Sequence, residues 1–139
     1  SEVRPDGTEI LVSTGFLRAS LRETNAQATP LDPRRDWLNQ TPMSGVQTAR
    51  IEIPSLAHTF RKGSRIRVTV TAPGGDKTSW RFETPNTGGR VVDTLALGVG
   101  GSSLVLPVVP GQRARGPVPD CQALRGQPCR RYRAAFNGG

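Results

Sequence analysis

An all-β fold, an antiparallel β-sandwich, is what this sequence predicts, and three observations predict it. Aliphatic and charged or polar residues alternate strictly in two runs, residues 50–53 and 65–70. A period of two sets one side of a strand against a core and the other against water. The chain of 139 residues holds 16 glycines and 12 prolines, a mixture that suits many turns better than a helical bundle. Its length permits one domain that buries about two-thirds of the surface its unfolded chain exposes.

The elements follow in order. Pro5-Asp6-Gly7 is turn chemistry: proline presets φ and glycine accepts a positive φ. Such a turn joins two strands, and residues 8–14 supply the second, with Ile10 and Val12 on one face. Phe16, Leu17 and Leu21 then fit a short helix or a bent strand, and periodicity alone leaves both open. Arg18 and Arg22 in this segment read as surface ion-pair partners. Residues 24–45 carry Pro30, Pro33 and Pro42 without a steady period, which makes a long loop anchored at Trp37-Leu38. The sequon Asn39-Gln40-Thr41 is too short a pattern to carry weight.

At the centre, Ile51 and Ile53 alternate with Arg50 and Glu52, and Ile66, Val68 and Val70 alternate with Arg65, Arg67 and Thr69. Pro54 closes the first strand because it has no N–H for a ladder. Lys62-Gly63 turns the chain into the second. Farther on, residues 72–76 form a turn, Trp80 caps the core, residues 91–97 form a strand, and residues 104–109 close the sheet. Pro107 makes that last strand an edge.

From Gly111 onward the pattern stops, so residues 1–110 read as the sandwich and 111–139 as a loosely packed tail. The net charge of +8 divides as +3 before residue 111 and +5 after it, and arginine outnumbers lysine 17 to 2. The basic residues alternate with acids along strands and few aromatics accompany them, so they read as a solvated face; no nucleic-acid partner is expected. No apolar run reaches the length of a membrane span, and no membrane partner is expected either. Cys121 and Cys129 are the two cysteines, and their pairing favours an oxidising, extracellular or cell-envelope compartment.

Residues 56–68, Leu-Ala-His-Thr-Phe-Arg-Lys-Gly-Ser-Arg-Ile-Arg-Val, match the pattern A-H-x-F-x-x-G-H/S-R-I-R-V. This resembles the C-terminal non-catalytic domain of the serine hydrolases that include X-Pro dipeptidyl-peptidases and cocaine esterases. The likeness runs from Val3-Arg4-Pro5-Asp6-Gly7, through Gly15-Phe16-Leu17-Arg18-Ala19-Ser20, to Leu104-Val105-Leu106-Pro107-Val108-Val109, about four-fifths of the chain. Arg81-Phe82 and Asn86-Thr87-Gly88 keep pieces of a further motif at altered spacing. The resemblance implies a galactose-binding-like jelly roll whose first strands precede residue 1, so the chain is expected to be a piece of a longer one. An open sheet edge would then invite a partner, or a second copy of the chain.

The search for chemistry points the same way. The sequence has no Gly-x-Ser-x-Gly elbow. His58 is the sole histidine and reads as structural, its ring bonded to backbone near the corner after Pro54, because geometry rather than residue type defines a triad. Asp32, Asp36, Asp76 and Asp93 are isolated, and no metal or other cofactor is expected. By resemblance, the chain packs on the catalytic α/β-hydrolase domain of its parent and shapes the active-site cleft, with Phe16, Arg18, Arg22 and Trp37 as interface candidates. An independent carbohydrate-binding module is the competing expectation, with Trp37 and Trp80 as the ligand platform. His58, Gly63, Cys121 and Cys129 are assigned to structure.

Overall fold

Strand pairing begins at the Pro5-Asp6-Gly7 turn. In the computed structural model, which describes residues 1–71, 88, 92–121 and 128–134, the Gly7 N–H donates to the Arg4 carbonyl at 3.0 Å, and Gly7 sits at φ 78°. The Arg4 N–H reaches the Thr8 carbonyl at 2.8 Å, which closes a three-residue hairpin loop with glycine in the left-handed position. The Asp6 carboxylate accepts from the Thr8 N–H and hydroxyl at 2.8 and 2.7 Å. The loop therefore joins two strands, β1 (Glu2–Val3) and β2 (Thr8–Ile10). The first strand of this hairpin lies within the chain, where the sequence had indicated only the second.

Two further strands complete an antiparallel sheet: β3 (Arg65–Ile66) and β4 (Arg130–Arg131), in the order β3-β1-β2-β4. Glu2 stands between Ile66 and Ile10, and Val3 between Arg65 and Glu9. Glu9 continues the second row to Arg130. The chain is thus all-β: the only helical piece among the described residues is a 3₁₀ turn, Ala19–Leu21. Among the described residues the buried aliphatic side chains are Val3 and Ile10, in the central pair of strands, and Val12, just past them.

The assigned strands are shorter than the alternating runs. Residues 50–53 and 104–109 show the period of a strand but no ladder, and so do residues 94–97. The β1–β3 ladder ends where Ser1 and Arg67 exchange backbone bonds of 2.9 and 3.0 Å. Val68 and Val70 continue the alternation past that point at 61 % and 51 % exposure. Periodicity reports which side of a residue could be buried; a strand also needs a neighbour to bond.

Residues Ser1–Gly15, Ile53–Val70 and Val109–Gly139 form one unit, which holds this sheet. Its turn at residues 61–64 is closed by the Ser64 N–H on the Arg61 carbonyl at 3.0 Å, with Gly63 at φ 85°. A Cβ on Gly63 would also come 3.1 Å from Pro5 Cγ, so both dihedral and space require glycine. Residues after 110, which carry no strand pattern in sequence, supply β4. Cys121 and Cys129 form a disulfide with Cα atoms 5.2 Å apart, next to that strand.

Residues Phe16–Glu52 and Thr71–Val108 form the other unit. A single bridge, Thr24 to Arg35, makes a hairpin of the expected loop, with the Asn25 N–H on the Arg34 carbonyl at 2.9 Å. Trp80 and Phe82, with the expected turn at residues 72–76, lie outside the described residues.

Because the disulfide abuts β4, replacing both cysteines with serine should lower stability by about 2–3 kcal/mol on the chain-entropy estimate. The loss should show first at the last strand. The Tyr132 N–H, bonded to the Gly7 carbonyl at 2.9 Å, should lose hydrogen-exchange protection before the Arg4 N–H does. Equal loss at both amides would mean that the disulfide holds the whole sheet rather than its edge.

Candidate interaction surface

The sheet has two chemically different faces. Cross-strand partners share a face, so Ile66, Glu2 and Ile10 belong to one and Arg65, Val3, Glu9 and Arg130 to the other. On the first, Glu2 is buried among apolar neighbours and needs compensation. His58 supplies it, with Nε2 3.0 Å from Glu2 Oε2, and Arg4 Nε stands 3.9 Å from the same oxygen. The His58 ring also meets Phe60 edge to face at 4.8 Å. The partner of the histidine is therefore a carboxylate 56 residues away in sequence, where a local backbone group had been expected. This pair fastens the corner after Pro54 to β1.

On the second face, Arg67 Nη1 donates to Glu9 Oε2 at 2.7 Å. Arg65 and Arg67 both lie against the Tyr132 ring, their guanidinium carbons 5.0 and 5.2 Å from its centroid. None of Glu2, Glu9 or Tyr132 is marked by a motif. The available signal was parity: Glu9 and Arg67 sit on the charged side of their own alternating runs.

In the other unit, Arg22 is buried. Its Nη1 donates to the carbonyls of Ala19 and Thr41, and Nη2 stands 3.6 Å from Glu23. Arg35 donates to the Arg22 carbonyl at 2.8 Å, and burial pulls the Arg35 guanidinium below its ordinary pKa. Arg22 keeps an ion pair with Glu23, but it is buried where a surface position was expected, and it anchors residues 19–42. Trp37 and Leu38, expected to be the anchor, are exposed at 64 % and 96 %. Arg18 and Phe16 are exposed on the same segment as Arg22. The sequence-predicted residues therefore separate: Phe16, Arg18, Arg22 and Trp37 lie in one unit, and His58, Gly63, Cys121 and Cys129 in the other.

Among the described residues no group of three or more His, Cys, Asp or Glu is placed to hold a metal ion. No described helix is long and apolar enough to cross a membrane.

In this all-β chain the one histidine is paired with a carboxylate of the central strand. A family model for the X-Pro dipeptidyl-peptidase C-terminal non-catalytic domain matches residues 1–91, and the chain belongs to that family. No curated protein and no solved structure matches it.

Two outcomes follow from this geometry. Arg22→Ala strips a buried charged donor from several carbonyls and should cost about 2–4 kcal/mol in chemical denaturation, while Arg18→Ala should stay within about 0.5 kcal/mol. Asp6 gives a pH signature. The bonds from the Thr8 side chain and N–H hold its carboxyl below the usual 3.8. A lowered carboxyl contributes stability that is present above its unfolded pKa and lost as pH falls through the folded one. Asp6→Asn should therefore flatten the fall in stability as pH drops below about 4, and Thr8→Val should return the Asp6 titration, followed by NMR, towards its ordinary value.

Proposed function

We propose that this chain acts as the accessory C-terminal domain of a serine hydrolase of the X-Pro dipeptidyl-peptidase or acyl-esterase type. It packs on the catalytic α/β-hydrolase domain of its parent and helps to wall the active-site cleft, and it supplies no nucleophile. The observation that carries the packing is the row Ile66, Val68 and Val70: three aliphatic side chains at alternate positions, 49–61 % exposed, on the side opposite Arg65 and Arg67. Strand alternation of this kind marks a side built for burial, and an unburied apolar row belongs to a contact. Phe16, Arg18 and Trp37 are further contact candidates, with Arg22 holding their segment in shape. His58 acts through Glu2 as a structural residue. The disulfide fits an oxidising compartment, so the assembly works outside the cytoplasm.

The test is reconstitution with a separately produced catalytic domain of an X-Pro dipeptidyl-peptidase, read by light scattering and by hydrolysis of an X-Pro substrate. A stable complex is expected, and Val68→Asp with Val70→Asp should weaken it at least about tenfold, as a buried charge would. A chain that stays apart from the catalytic domain but binds glycans through Trp37 would instead be a carbohydrate module. Self-association through the outer strands would make the apolar row a homotypic contact.

A further inference from the structure

The basic face of the sheet is built in a way that the hydrolase reading does not require. Sheet order puts β1 and β2 between β3 and β4, so about 14 Å of sheet separates the outer strands at roughly 4.8 Å per step. Yet Arg65 and Arg67, from the β3 side, meet Tyr132, from the β4 side, at 5.0 and 5.2 Å. The three side chains must therefore meet above the two central strands, where Val3 and Glu9 lie buried. Long arginine stems can roof an apolar residue while their charged heads stay wet. Stacking against a ring also fixes the guanidinium planes.

The charge on this roof is not balanced. Within Ser1–Gly15, Ile53–Val70 and Val109–Gly139 the sequence holds eleven basic residues and four acidic ones. Of the four, Glu2 is taken by His58 and Glu9 by Arg67, and Asp6 accepts from Thr8. Arg65 and Arg130, which occupy the two ends of the row Arg65–Val3–Glu9–Arg130, are exposed and have no acidic partner among the described residues. The one anion that the face does hold, at 2.7 Å on Arg67, is a carboxylate.

We infer that this arginine–tyrosine face is a docking surface for an acidic peptide segment. Arg65 and Arg130 receive its carboxylates on either side of the internal Arg67–Glu9 pair. Guanidinium forks match carboxylates in two-point geometry. Tyr132 holds the Arg65 guanidinium against its ring for such a contact. The inference does not depend on the hydrolase assembly, because it concerns the face opposite the aliphatic row.

The test is fluorescence anisotropy with a labelled hexaglutamate peptide on the whole chain at low salt, with labelled hexalysine and a ten-residue oligothymidylate as competing chemistries. Arg65→Ala/Arg130→Ala should weaken hexaglutamate binding about tenfold. Arg113→Ala/Arg115→Ala, which removes the same charge elsewhere, should change it less than about twofold. Should the alanine pair fail to fold, Arg65→Lys/Arg130→Lys keeps the charge, loses the fork and should still weaken binding measurably. Equal losses from both alanine pairs would reduce the effect to net charge and overturn the inference. Tighter binding of the oligothymidylate through Arg65 and Arg130 would overturn it in favour of phosphate.

Discussion

The pairing of β1 on both of its edges is the constraint on which the rest of the sheet depends. Glu2 and Val3 are two residues, yet they lie between β2 and β3, and removing them would leave those strands without a common neighbour. A segment this short cannot hold its place by ladder bonds alone. It is held by side chains: Val3 is 2 % exposed, and the Glu2 carboxylate is tied to His58. Burying a carboxylate is costly unless it is paired. The histidine thus makes a buried acid tolerable at the centre of the sheet. The acid in turn makes the register specific, because a slip of one residue would carry Glu2 to the opposite face, away from His58.

The same logic accounts for what could and could not be read from the sequence. Local chemistry was legible. Pro5-Asp6-Gly7 and Gly63 declare their turns because only particular residues adopt those dihedrals cheaply, and Cys121 had Cys129 as its one possible partner. The all-β class was legible from alternation. Long-range pairing was not. β4 is two consecutive arginines, with no period to detect, and it joins the sheet through a register with Thr8 and Glu9 over 120 residues away. Arg22 was misjudged for a related reason: an arginine is usually exposed, and only the return of residues 41–42 to its guanidinium buries it. Trp37 illustrates the converse, since a large aromatic in a polar loop is the natural anchor until another residue proves to hold the segment.

The two faces also separate two kinds of contact. On one, the exposed Ile66 and Val68 lie across the paired Glu2 from the buried Ile10, so aliphatic area reaches the surface at the edge of the sheet. Area of that kind favours a partner that stays, because exposing it again costs about 25 cal/mol for each Å². On the other, the exposed Arg65 and Arg130 flank the buried Val3 and Glu9, and contacts made there trade one hydrated ion for another. Such contacts are weak singly and sensitive to salt. The proposed hydrolase assembly would use the first face and leave the second in solvent. A domain that holds a permanent neighbour through its aliphatic side can therefore still engage an acidic segment reversibly on its arginine side, because the two contacts use opposite faces of the sheet.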